Sequence, residues 1–228
     1  MMQCSACANG TSPCLHNIPI FEHLDPPEIK RVQKLIIQRE LESNEVLFHE
    51  GDASEKLYIV RTGSLKLVRY SPDGQEFLLD TLFPGDFYGS DGLFAPGNVQ
   101  ESAIAEQKSG ICTIQGGELK QLMLADPSIS LKVLEYLNTK LEQYRLQLEM
   151  LSTKDVSKRL CMYLYQRSTR SASLELLLSQ EDIGNAIHLT KETVNRKLAI
   201  LQGQGVIRIA GKKKITILDL GELKEFAF

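Results

Sequence analysis

Ser179-Gln180-Glu181-Asp182-Ile183-Gly184-Asn185-Ala186-Ile187-His188-Leu189-Thr190-Lys191-Glu192-Thr193-Val194-Asn195-Arg196-Lys197-Leu198-Ala199-Ile200-Leu201 is the stretch that decides the reading of this chain. Ser179 followed three residues on by Asp182 is a capping-box pattern, so a helix starts there. His188-Leu189-Thr190 is a three-residue turn, and Thr190 caps a second helix that Gly203 and Gly205 end. In that second helix Val194, Leu198 and Leu201 fall at i, i+4 and i+7 and face a core. Glu192, Asn195 and Arg196 fall at i, i+3 and i+4 and project together from another face. Arg pairs with guanine, Asn with adenine, and Glu accepts from a cytosine amine. A second helix presenting such side chains near its start is how a helix-turn-helix enters the major groove. Ser179, Thr190, Lys191 and Lys197 lie at the helix starts and flanks, where contacts to phosphates position the protein.

Downstream, Val206-Ile207-Arg208-Ile209 and Ile215-Thr216-Ile217-Leu218 read as two strands joined by Ala210-Gly211-Lys212-Lys213-Lys214. This makes a winged helix with a cationic tip, Lys212 and Lys213 being the phosphate contacts. Upstream, Val156 to Tyr165 reads as an apolar-faced helix that a polar break, Arg167-Ser168-Thr169-Arg170-Ser171, closes. Cys161 sits on its apolar face, as a core residue. Before it, Leu134, Leu137, Leu141, Tyr144, Leu148 and Leu151 are spaced 3, 4, 3, 4, 3. This two-per-heptad stripe is a dimer seam in a coiled coil, the competing reading being one helix packed on its own β-domain.

Between Val46 and Ile114 the period changes to short runs rich in β-branched or aromatic residues. Val46-Leu47-Phe48, Leu57-Tyr58-Ile59-Val60, Leu65 to Tyr70, Phe77-Leu78-Leu79 and Ile111-Cys112-Thr113-Ile114 alternate with turns such as Pro72-Asp73-Gly74 and Pro84-Gly85-Asp86. That regularity predicts an antiparallel β-roll or barrel. Asp25-Pro26-Pro27 opens a short helix over Ile29–Ile37. Residues 1–18 are too poor in apolar side chains to pack unaided. The organisation expected is therefore a cysteine-rich N-terminal segment over 1–18, a β-roll over 19–126, a dimerisation helix over 127–151 and a DNA-binding domain over 152–228.

The 228 residues carry a formal charge of −3, which hides an asymmetry: from Ser152 onward 13 Lys and Arg face 8 Asp and Glu, a net of +5, leaving −8 in the front half. A basic back half suits nucleic acid. No apolar run approaches the roughly 20 residues that span a bilayer, and the N-terminus lacks a secretory signal, so a cytoplasmic protein with no membrane partner is expected. No nucleophile–base pair, P-loop or paired carboxylates support catalysis, so no enzyme is expected.

With β-roll, long helix and winged helix in this order, the chain resembles the CRP/FNR superfamily of bacterial transcription regulators over nearly its full length. That implies an α+β fold: an N-terminal antiparallel β-roll of the cyclic-nucleotide-binding kind, a long dimerisation helix and a C-terminal winged helix-turn-helix. Asp182-Ile183-Gly184-Asn185, Leu189-Thr190 and Glu192-Thr193-Val194-Asn195-Arg196 look most like its FNR branch (Flp-type included), which has Glu, Ser and Arg at the positions of Glu192, Asn195 and Arg196 and recognises an inverted repeat of TTGAT half-sites. The resemblance implies a homodimer on double-stranded DNA that works with RNA polymerase. Asn195 departs from the branch's Ser, at a position that usually contacts thymine. The CRP branch binds cyclic AMP with an Arg-Ser pair. Here the matching Gln100-Glu101-Ser102-Ala103 offers Glu101, whose carboxylate would repel a phosphodiester, so no cyclic nucleotide is expected.

The five cysteines complete the resemblance. Cys4-x2-Cys7-x6-Cys14 and Cys112 supply four thiolates, the number that holds a 4Fe-4S cluster. FNR proteins bind an oxygen-labile cluster of this kind on three N-terminal cysteines and one on the β-roll, although their usual spacing between the second and third is five residues. Two alternatives stay open: a thiol-disulfide sensor without a cluster, and zinc on four thiolates or on three with His16.

Overall fold

The computed structural model describes residues 18–22, 24–53, 55–89, 97–211 and 213–228. Among the described residues the first helix is α1 (Pro26–Leu35), fixed at its start by a reciprocal cap: Asp25 accepts from the Glu28 amide, Glu28 reaches back to the Asp25 amide, and prolines occupy the first turn. Such a reciprocal cap contributes about 1 kcal/mol. The strands β1 (Ile37–Leu41), β2 (Val46–Phe48), β3 (Lys56–Thr62), β4 (Leu65–Tyr70), β5 (Glu76–Leu82), β6 (Phe87–Tyr88), β7 (Ser102–Ala105) and β8 (Ser109–Gln115) follow, then α2 (Gly116–Ala125) and α3 (Pro127–Ser152). They form two four-stranded sheets, ordered β1-β8-β3-β6 and β2-β7-β4-β5, with antiparallel pairing.

Alternation along β3 and β8 sets the layers. Val60 and Ile111 point into a core shared with Leu65, Leu67, Ala103 and Ala105 of the other sheet. Leu57, Ile59, Cys112 and Ile114 point the opposite way, into a second core closed by Ile18, Ile20, Phe21, Leu24, Ile29, Leu119, Ile129 and Val133. Strands β3 and β8 are therefore buried on both faces, between the partner sheet and a helical layer. At the β3–β4 turn Gly63 has φ +79°, and a Cβ there would meet Ser109 Oγ at 2.2 Å, so the turn demands glycine.

The front of α3 is fastened to the β-roll by polar groups as well. Lys140 Nζ lies 3.1 Å from Asp80 Oδ2 and 3.4 Å from Asp86 Oδ1, with Lys140 and Asp80 side chains only 8% and 3% exposed. Tyr136 stacks on Phe87 at 3.8 Å, and its hydroxyl bridges the Phe87 amide and carbonyl.

Contacts divide the chain into two units, the first holding residues up to Gln75 with Leu79–Lys140, the second Glu76–Leu78 with Leu141–Phe228. The division falls inside α3, at Lys140. The reason is packing: Ile129 and Val133 belong to the helix-side core of the first unit, whereas Met150 and Leu151 join the core of the second.

That second core gathers α4 (Val156–Ser171), β9 (Glu175–Leu177), α5 (Gln180–Ile187), α6 (Lys191–Gly203), β10 (Ile207–Ala210), β11 (Lys214–Ile217) and α7 (Leu220–Ala227). The supposed polar break at Arg167–Ser171 is helical, a correction with a local cause. Arg167 and Ser168 face inward, Thr169 Oγ1 bonds back to the Tyr165 carbonyl, and α4 ends only at Ala172 in the left-handed region. Among the described residues no helix is long and apolar enough to cross a membrane.

Candidate nucleic-acid interface

Two caps and one glycine shape the turn between α5 and α6. Ser179 Oγ accepts from the Asp182 amide at 3.0 Å, and Asp182 accepts from the Ser179 amide at 2.8 Å. The far end of α5 closes on His188 in the left-handed region, with the Leu189 amide donating to the Gly184 carbonyl at 3.0 Å. A Cβ on Gly184 would stand 2.6 Å from the Leu189 carbonyl oxygen, so the close approach of the two segments requires its absence. Thr190 then accepts from the Thr193 amide and starts α6. Arg159 reinforces this corner from α4, donating to the Thr153 carbonyl at 2.6 Å and to the Ile187 carbonyl at 3.2 Å. Nothing in the order of residues marks Arg159 for this, since its partners are carbonyls.

Val194, Leu198 and Leu201 bury one side of α6, which leaves Glu192, Asn195 and Arg196 exposed together. Of the expected phosphate contacts, Thr190, Lys191 and Lys213 are exposed, Ser179 and Lys197 half-buried, and Lys212 lies outside the described residues. Lys197 is also one of two lysines whose charge reaches Asp155. Asp155 caps α4 by accepting from the Ser157 and Lys158 amides, and these two bonds, ahead of the lysine charges, hold its carboxyl below the usual range. Gln180, unmarked in the sequence reading, donates from Nε2 to Asn195 Oδ1 at 3.1 Å. In the wing, β10 and β11 pair antiparallel and β9 adds a third strand. Lys214 is tied at 2.8 Å to Glu175 across that sheet.

The six-residue stripe of α3 divides by exposure. Leu134, Leu141, Tyr144 and Leu148 are 59%, 49%, 43% and 66% exposed. Leu137 and Leu151 are half-buried against the cores of their own units. In the β-roll, Cys112 is buried in the apolar cluster that Ile18, Ile20 and Phe21 close. Cys4, Cys7, Cys14 and His16 lie outside the described residues, and those described contain no group of three metal-ligating side chains. Glu101 places its carboxylate 3.8 Å from the Arg69 guanidinium and is 17% exposed. Cys161 is buried, and burial, with the nearby Asp155 charge, pushes its thiol up to about 11.

Comparison with known proteins accounts for both units. Residues 38–126 match the cyclic nucleotide-binding domain and residues 158–226 the Crp-like helix-turn-helix domain. An anaerobic regulatory protein of Pasteurella multocida is 27% identical over 237 residues, covering 99% of this chain and 85% of that protein. A CRP-like cAMP-activated global transcriptional regulator of Mycobacterium tuberculosis is 30% identical over 200 residues, covering 85% of this chain and 89% of that one. The fold is that of FixK2 from Bradyrhizobium japonicum, with a TM-score of 0.75 at 22% identity over 85% of this chain and 98% of that one. These relatives are regulators, not enzymes. With a cyclic-nucleotide-binding fold in front and a helix-turn-helix behind, this chain belongs to the CRP/FNR superfamily of transcription regulators.

Proposed function

We propose that the chain is an FNR-type regulator that binds a palindromic, TTGAT-like DNA site as a homodimer and responds to oxygen or redox state through its cysteines. Glu192, Asn195 and Arg196 read bases, while Lys191, Lys197 and the wing lysines Lys212 and Lys213 contact phosphates. The exposed side chains of Leu134, Leu141, Tyr144 and Leu148 form the seam between subunits. RNA polymerase is the partner that the family implies.

One observation carries the sensory part: Cys112 lies in the same apolar cluster as Ile18. Cys14 precedes Ile18 by four residues, and four residues span at most about 14 Å. That closeness in the chain to the cluster holding Cys112 supports placing a thiolate of the N-terminal set there. The apolar wall limits water at that sulfur, a setting that suits a 4Fe-4S cluster on Cys4, Cys7, Cys14 and Cys112. When bound, such a cluster supplies an electron-rich centre that oxidants attack. The chain's contribution is to tie residues 4–14 to β8, under the helical layer that carries α3. No cyclic nucleotide is part of the reading, because the resemblance aligns Glu101, a carboxylate, with the position where the CRP branch uses an arginine on the phosphodiester.

The test is purification without air, an absorbance spectrum, and assay of iron and acid-labile sulfide, followed by DNA affinity before and after exposure to air. The reading expects about four irons per chain, loss of absorbance in air with weakened binding, and no air response in Cys112→Ser. Protein without iron that forms a disulfide to Cys112 in air would replace it with the thiol-disulfide reading. Stoichiometric zinc would replace it with the zinc reading.

A further inference from the structure

We propose that Gln180 is a positioning residue for base readout and that, held by it, Asn195 reads adenine rather than thymine; this rests on the DNA-binding reading above. Gln180 is the first residue of α5 and is half-buried, whereas Asn195 is exposed on α6 with Glu192 and Arg196. Their amides meet at 3.1 Å, Nε2 donating to Oδ1. A lone asparagine on a helix surface samples a broad, roughly two-fold terminal torsion, and a bond from a neighbouring helix removes that freedom before DNA arrives.

Asn195 loses no reading capacity by this bond. An amide oxygen has two lone pairs and an amide nitrogen two hydrogens. With one lone pair given to Gln180, the other lone pair and both hydrogens remain. If both amides turned over, Asn195 would give one hydrogen to Gln180 and keep the second together with its oxygen. In either direction one donor and one acceptor remain on the Asn195 amide for a base edge.

Only one base edge in the major groove satisfies such a pair. Adenine offers the N7 acceptor and the N6 donor. Thymine offers O4 and a methyl group, which would leave the amide oxygen against carbon. Guanine presents two acceptors, so its O6 would oppose the amide oxygen, and cytosine presents its N4 donor. The serine usual at this position in the FNR branch carries a single hydroxyl and cannot make the two-point contact. A·T pairs occur in the half-site under both readings, so the difference lies in which partner of the pair is touched.

Chemically altered bases separate them. A duplex selected from random sequence by the full-length protein is remade with 7-deazaadenine, which lacks the N7 acceptor, or with deoxyuridine, which lacks the thymine methyl, at the pair facing Asn195. The proposal expects 7-deazaadenine to weaken wild-type binding about tenfold, as loss of part of a bidentate contact should, and deoxyuridine to change it less than twofold. Asn195→Ala should show no 7-deazaadenine penalty. Gln180→Ala should still bind the site but with the penalty cut to about threefold or less. The double variant should be no worse than Asn195→Ala, since the two side chains act as one. Each penalty is a ratio within one variant, so a general loss of structure does not imitate it. An unchanged penalty in Gln180→Ala, or none in the wild type, overturns the proposal alone. Selection that yields no palindrome overturns the DNA-binding reading beneath it and the proposal with it.

Discussion

Replacing Lys140 with Met removes an ammonium from a site where little water can take its place. Lys140 and Asp80 are 8% and 3% exposed at their side chains, and Nζ stands 3.1 Å from Asp80 Oδ2 and 3.4 Å from Asp86 Oδ1. Asp80 keeps its bond from the Thr81 amide at 2.7 Å, and Asp86 keeps the Phe83 amide at 3.0 Å and the Tyr136 hydroxyl at 3.3 Å. None of these three bonds comes from a charged donor. Breaking a buried ion pair from one side costs about 3–5 kcal/mol. For a unit of this size 1 kcal/mol corresponds to roughly 3–4 °C in Tm, so the variant's first transition should fall by about 10–20 °C. Differential scanning calorimetry of wild type, Lys140→Met, Asp80→Asn and the double variant measures this directly. The double variant should recover at least about 1 kcal/mol relative to additive losses, since the neutral amide no longer needs the lysine. A Lys140→Met transition within about 2 °C of wild type, or a strictly additive cycle, would refute the argument that this charge pair is held away from water.

Four further outcomes follow from features already described. Gly184→Ala drives a methyl to 2.6 Å from the Leu189 carbonyl and should cost about 2–4 kcal/mol in the second unit, with specific DNA binding lost at growth temperature, measured by melting and gel shift. Leu141→Glu with Leu148→Glu should convert a dimer to a monomer in analytical ultracentrifugation without lowering the melting of either unit, because both side chains are exposed in the single chain. Asp155 is held below its ordinary pKa by two amides and then by lysine charge, so its cap is complete above about pH 4 and fades as pH falls through the lowered value. Wild-type stability should accordingly exceed that of Asp155→Ala at pH 7 and approach it toward pH 2, as read by denaturant titration. Cys161, with its thiol pushed up to about 11, carries roughly a hundredfold less thiolate at neutral pH than an unperturbed thiol and should resist Ellman's reagent until the protein is unfolded, with peptide mapping to identify the site.

Local chemistry made much of this molecule legible in advance. Ser179 with Asp182 and Thr190 with Thr193 bond within one turn, so the residues that start α5 and α6 are visible as a string. The strands β1 and β7 were not legible. Ile37-Gln38-Arg39-Glu40-Leu41 is charged, and Ser102-Ala103-Ile104-Ala105 is small, and each becomes a strand through the partner it lies beside, β8 and β7's neighbours β2 and β4. Arg167–Ser171 looked like a break because inward-facing Arg167 and Ser168 resemble a solvated face until the rest of the unit surrounds them. Lys140 was hidden for the same reason: its partner Asp80 lies 60 residues away. On α6, the helical period brings Glu192, Asn195 and Arg196 together. Gln180 joins them across 15 residues and a turn, a distance that no period encodes.

The ladder of Leu134, Leu141, Tyr144 and Leu148 bears on identity within a cell. Apolar contact is non-directional, so these side chains name no particular partner. In many paired helices, charges flanking the seam make that choice. Here Glu142 and Arg145 pair at 2.6 Å within one chain, which occupies two of the charges near the ladder. Under the homodimer reading proposed above, a second regulator bearing a similar ladder is therefore expected to trade subunits with this one. The resulting hybrid would carry two different reading helices and answer to operators whose two halves do not match, which widens the set of promoters a small family of such proteins can govern.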